Sequence, residues 1–143
     1  MKYLFLLLIT AQIYSVPTPP TLEELILKSD YIAKTKLTKI RESKLNKYSI
    51  SVNAIAQIQT VYKEKTTMPP SIDLAFMVLP EFYGKWLKMV PSENEYILFY
   101  VQKEFKNSKG NINHSIILYE PHVFAFREVT KEIEEKLNSL KKE

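Results

Sequence analysis

Residues 48–62, YSISVNAIAQIQTVY, decide the fold. Tyr48, Ile50, Val52, Ala54, Ala56 and Ile58 recur at every second position, with Ser51, Asn53 and Gln57 between them. A period of two means strand, because successive side chains leave a pleated backbone on opposite faces. The run is long for one strand. Ile55 and Val61 fall on the face opposite the other apolar residues, which predicts a bulge or strong coil near the middle of the run. A strand of this kind serves two neighbouring sheet surfaces.

Working outward, residues 31–40 carry a weaker alternation and read as the strand before it. Residues 66–70 (TTMPP) are a loop, and 71–79 (SIDLAFMVL) read as a third strand that Pro80 ends. The continuous apolar run 96–101 (YILFYV) reads as a central strand buried on both faces. Residues 116–119 give a short fifth strand. Thr21 and Glu24 have the spacing of a capping box at the start of a helix over 22–28, whose inner face is Leu22, Leu25 and Ile26. A last helix is predicted over 130–140, with Val129, Ile133, Leu137 and Leu140 spaced to pack on the strands. The expected fold is mainly β: a five-stranded antiparallel barrel of the OB type, closed or partly open, with a short N-terminal helix and a C-terminal helix. Lipocalin-like or cystatin-like arrangements of the same strands are the alternatives, although a lipocalin needs more strands than these.

The N-terminus reads as an export signal. Met1-Lys2 is a short positive region, residues 3–9 (YLFLLLI) are an apolar core, and Thr10, Ala11 and Ser15 supply small or polar residues before a cleavage expected after Ser15. That run is under half the roughly 20 residues needed to span a bilayer, so no membrane span is expected. Residues 16–20 (VPTPP) form a proline-rich arm that cannot be helical, and residues 21–143 are read as one domain. Loss of Lys2 with the leader takes the formal net charge from +4 to about +3.

The chain contains no cysteine, which excludes disulfides, thiolate metal sites and cysteine nucleophiles. Its two glycines, Gly84 and Gly110, leave no glycine-rich phosphate cradle. At roughly 125 residues after cleavage, a core without disulfides suffices. Basic and acidic residues read as interspersed along the chain, giving a solvated, mixed-sign surface rather than a nucleic-acid-binding face. His114 and His122 are the only histidines, and a metal site needs three or four converging ligands. No G-x-S-x-G elbow is present. Glu93 with Glu95, and Glu134 with Glu135, read as surface charge. No cofactor is expected.

Two features point outward. The segment 81–91 holds Phe82, Tyr83, Trp86 and Met89, interleaved with Lys85 and Lys88, and is too aromatic for a mere solvated connection. Aromatic residues are enriched where proteins meet partners; the competing reading is that they cap the open end of the barrel as core. An OB-type groove for an oligosaccharide or single-stranded nucleic acid is also compatible, although export makes nucleic acid the poorer partner. Asn113-His114-Ser115 satisfies the N-glycosylation pattern beside a polar loop at 107–110.

The order of features resembles the netrin-like (NTR) superfamily, which includes tissue inhibitors of metalloproteinases and the N-terminal domain of agrin. The resemblance lies in residues 29–35 (SDYIAKT), 61–63 (VYK), 94–99 (NEYILF) and 124–129 (FAFREV), and covers most of 21–140. It implies an OB-fold module with extracellular partners. For the metalloproteinase inhibitors it further implies an N-terminal cysteine whose amine and carbonyl chelate the protease zinc, locked by a disulfide. Neither Val16 nor any neighbour reproduces that lock. The agrin-like role of binding a matrix or cell-surface protein loses less by the missing cysteines. The expectation is thus a secreted, non-enzymatic module that binds an extracellular protein. The alternatives are a protease inhibitor acting through residues 16–20 and, third, a hydrolase without a recognisable motif.

Overall fold

A computed structural model of the chain describes residues 18–80 and 90–140. The expected leader over 1–15, Val16 and Pro17 of the arm, the aromatic segment 81–89 and residues 141–143 lie outside the described residues.

The described chain is mainly β. Helix α1 (Leu22–Lys28) is followed by strands β1 (Tyr31–Asn46), β2 (Ser49–Lys63), β3 (Ser71–Val78), β4 (Glu95–Lys106) and β5 (Ile112–Leu118). A 3-10 turn (His122–Ala125), a short strand β6 (Phe126–Glu128) and helix α2 (Lys131–Ser139) complete it. All pairings are antiparallel, in the order β3-β2-β1-β4-β5, with β6 also on β4. Among the described residues the sheet therefore has six strands, not five, and it does not close: β3 and β5 end the path without pairing to one another. β6 escapes a sequence reading because three residues are too short to show a period.

Two strands overshoot their expected ends. β1 runs on to Asn46 although its residues beyond Ile40 are exposed on both faces and show no alternation, because the ladder to β2 holds them. β4 likewise continues to Lys106 against β5, which begins at Ile112 rather than 116.

The predicted irregularity of β2 is present, and it lies mostly nearer the strand's end. Thr35 pairs with Ile58 while Lys34 pairs with Thr60, so Gln59 is an extra residue on β2. This resets the alternation, and Val61 comes to pack on the same core as Ile58. Opposite the middle of β2 the extra residue is on β1, between Thr38 and Arg41, where Lys39 takes the left-handed conformation at φ 53°.

The core has two layers. On the concave face Tyr31, Ala33, Leu37, Val52, Ala54, Ala56, Leu74, Phe76, Leu98 and Phe126 join one cluster contributed by β1, β2, β3, β4 and β6. Phe76 of β3 meets Phe126 of β6 with ring centroids 5.1 Å apart, so the curled sheet brings its far edges face to face. On the convex face Ile32, Ile97 and Phe99 pack under Leu25 of α1 and Leu137 of α2, all fully buried. This second layer is why residues 96–101 read as a doubly buried strand. The capping box at Thr21 and Glu24 forms in both directions, at 2.8 and 3.2 Å, and Thr130 caps α2.

Candidate functional site

β1 organises the surface because its two halves have different neighbours. Tyr31 to Lys36 lie between β2 and β4, but beyond Leu37 the strand pairs only with β2 among the described residues. Since β4 runs antiparallel, its own distal half, paired with β5, leaves the shared region at the opposite end. The body thus carries two hairpin arms pointing away from each other.

Phe82, Tyr83, Lys85, Trp86, Lys88 and Met89, the residues singled out for partner binding, lie outside the described residues. Their flanks do not. Val78, two residues before Pro80, pairs with Ile50 near the end of the β1–β2 arm, and Val90 packs on the concave core. Pro91 is buried, and the Asn94 carbonyl accepts from the Leu37 amide at 2.9 Å, just where β1 parts from β4. The described residues on either side of the segment, Val78 and Val90, both belong to the concave core.

At the proline-rich arm, the Pro20 carbonyl accepts from Arg127 Nη2 at 3.1 Å while Arg127 Nη1 donates to the Phe124 and Phe126 carbonyls. The arm leaves the domain beside β6.

Asn113 lies within β5 rather than in a loop, and both it and Ser115 are exposed. It sits directly across from Phe105, which is 45 % exposed. The loop that carries the turn is residues 107–111: Asn107 Oδ1 accepts from the amides of Lys109 and Asn111, and Gly110 takes φ 80°.

His114 is likewise a strand residue, across from Glu104, with Nδ1 3.7 Å from its carboxylate. His122 lies in the 3-10 turn. Burial holds its imidazole below the usual range, against the opposing pull of Glu120, whose carboxylate is 3.8 Å away. The two histidines do not converge, and no group of three metal-binding side chains occurs among the described residues.

Two of the four carboxylates read as surface charge, Glu95 and Glu134, are tied into a cluster. Glu134 on α2 accepts from Lys34 Nζ at 3.3 Å and from the Tyr62 hydroxyl at 3.1 Å. Glu95 accepts from Gln59 at 2.9 Å and lies 3.5 Å from Lys34; the Gln59 bond first, then the Lys34 charge, hold its carboxyl below the ordinary range. This polar cluster ties α2 to the bulge of β2 and to the start of β4. A Glu23–Lys136 ion pair joins α1 to α2.

Sequence reasoning missed the charge of the β1–β2 arm. Between Lys36 and Lys47 the chain carries Lys36, Lys39, Arg41, Lys44 and Lys47 against the single carboxylate of Glu42. Averaged over the whole chain this looks like mixed charge; past Leu37, where Lys39, Arg41, Lys44 and Lys47 follow one another on the strand and its turn, it is a basic arm. Its tip exposes Leu45 (55 %) and Tyr48 (58 %).

Comparison with protein families, with curated proteins and with solved structures finds no match. The chain's own geometry therefore carries the functional argument. No helix among the described residues is long and apolar enough to cross a membrane.

Proposed function

We propose that the chain is a secreted, non-enzymatic binding module of OB-like, NTR-like architecture that recognises an extracellular or cell-surface protein. The observation that carries this reading is the curl of the sheet: its end strands face each other over one shared core, with Phe76 against Phe126 at 5.1 Å, as in a partly open barrel. Such a body is rigid at its centre and leaves strand edges, arm tips and the mouth of the concave face as contact surface. Val78 and Val90, which flank the segment carrying Phe82, Tyr83 and Trp86 in the chain, pack on the concave core, and aromatic residues of that kind bury much area for little conformational entropy in a partner contact.

The test begins with export. Expressed with its own N-terminus, the protein should appear in the medium starting at Val16. The mature protein should then bind saturably to cell surfaces or matrix, and Trp86→Ala should abolish binding while deletion of residues 16–20 leaves it intact. Retention of the leader inside the cell would refute export. Binding unchanged by Trp86→Ala would refute the aromatic segment as the contact. Inhibition of a protease that disappears with residues 16–20 would replace the proposal with the inhibitor reading, for which the tether of Pro20 to Arg127 supplies a fixed exit point for the arm.

A further inference from the structure

The half of β1 beyond Leu37 and its turn into β2 form a basic finger with an apolar end, and we infer that this finger docks the protein on an anionic lipid bilayer. None of Lys36, Lys39, Arg41, Lys44 and Lys47 comes within ion-pair distance of a carboxylate among the described residues. By contrast Lys34, Lys65, Lys103, Lys131 and Lys136 all do. Lys36 still lies across from Glu95 of β4, and its charge acts on that carboxylate. This leaves Lys39, Arg41, Lys44 and Lys47 against Glu42 on the arm itself, a net positive charge that calls for an external anion.

The register shows how they are arranged. Lys36 lies across from Gln57 and Arg41 across from Asn53, on the convex face; Lys44 lies across from Ile50, on the concave side. Lys39 sits at the bulge and Lys47 at the tip. The arm's charge is therefore not confined to one face, Arg41 being convex and Lys44 concave. The cations beside the tip, Lys44 and Lys47, are the ones a headgroup layer entered end-on would meet, with Lys39 and Arg41 farther back along the strand.

The tip supplies the second half of the argument. Leu45 and Tyr48 stand in solvent at the end of the arm and add nothing to either core cluster. Asn46 Oδ1 accepts from the Tyr48 amide at 2.7 Å, which fixes the turn, and Lys47 Nζ lies 4.6 Å from the Tyr48 ring centroid. An aliphatic side chain beside an amphipathic aromatic, with cations behind them, matches the boundary between acyl chains and headgroups. Lysines near an anionic surface each strengthen partitioning by about 1 kcal/mol, or roughly fivefold.

This site shares no residue with the aromatic segment, so its failure leaves protein recognition standing, and the reverse holds as well. The experiment is co-sedimentation of the mature chain with vesicles of phosphatidylcholine alone and of phosphatidylcholine containing a third phosphatidylserine. Expected is binding to the anionic vesicles only, weakened by salt, reduced roughly fivefold by each of Lys44→Gln and Lys47→Gln, and further reduced by Leu45→Ser. These side chains are exposed, so circular dichroism should be unchanged. Absence of binding to the anionic vesicles overturns the inference. So does binding that Leu45→Ser and Tyr48→Ser leave intact, since apolar insertion would then play no part. Displacement from the vesicles by dextran sulfate or single-stranded DNA, with the tip substitutions silent, would assign the arm to a soluble polyanion instead.

Discussion

Leu25 and Leu27 sit two residues apart in α1, yet one is fully buried and the other 80 % exposed. Leu25→Ala removes about three methylene equivalents from the convex layer, ~2.4 kcal/mol at ~0.8 each. The cavity left against Ile32, Ile97 and Phe99 brings the cost to about 3–4 kcal/mol. An unfolding entropy of about 2.1 cal/mol/K per residue over roughly 125 residues converts this to a fall in Tm of about 12–15 °C. Leu27→Ala should stay within about 0.5 kcal/mol, or about 2 °C. Thermal and urea unfolding followed by circular dichroism would measure both, with the urea m-value unchanged if only the folded packing is altered. Similar losses at the two positions, or a larger one at Leu27, would refute the seating of α1 on β1 and β4 and with it the two-layer core.

The buried Tyr100 hydroxyl has Thr35 Oγ1 as its partner at 3.3 Å, so Thr35→Val should cost about 1–3 kcal/mol. Adding Tyr100→Phe should recover most of that loss in a double-mutant cycle, because no polar atom is then stranded. Burial raises the phenol of Tyr100, and burial followed by the Glu134 contact pushes Tyr62 up to about 12. Both groups ionise more readily when unfolded, so the stability they support is complete below pH ~10 and declines from there towards pH ~12. Absorbance at 295 nm should show these two phenols ionising only as the protein unfolds, and their free titration in intact protein would contradict their burial. Made in a eukaryotic secretory cell, the protein should lose mass on treatment with N-glycosidase, and Asn113→Gln should abolish the difference; identical masses before and after treatment would remove Asn113 as an acceptor.

The parts of the fold legible in the sequence are those where one face of an element is buried and the other wet. The α1 helix and the Ile50–Ile58 alternation follow from such contrasts, Tyr48 being exposed ahead of the strand, while the run 96–101 shows the opposite case, continuous apolarity where both faces are covered. The distal halves of β1 and β4 are wet on both faces, so only backbone pairing reveals them, and pairing leaves no period in the side chains. β6 was hidden by its length. Among site residues, Asn113 was legible as exposed but not as a strand residue, because its strand partner Phe105 lies eight positions earlier across a turn. The charge of the arm was hidden by averaging: Lys39, Arg41, Lys44 and Lys47 become a group only once β1 is known to part from β4 after Lys36.

The feature that joins architecture to function is the handover at Leu37. Up to that residue β1 is flanked on both sides, and Tyr31, Ile32, Ala33, Thr35 and Leu37 are fully buried. Past it the Asn94 carbonyl takes the last bond on the β4 side, and the strand turns charged within two residues. A continuous ladder to β2, whose Val52 and Ala54 stay in the concave core beside Phe76 and Val78 of β3, therefore holds the exposed, charged part of β1 rigid. An arm fixed in this way loses little conformational entropy when it meets a surface, which favours a polar, cationic hairpin as a binding element over a loop of the same composition. The bulge at Lys39 sits at the start of that arm, where a local increase in twist sets the direction in which Arg41, Lys44 and Leu45 are presented.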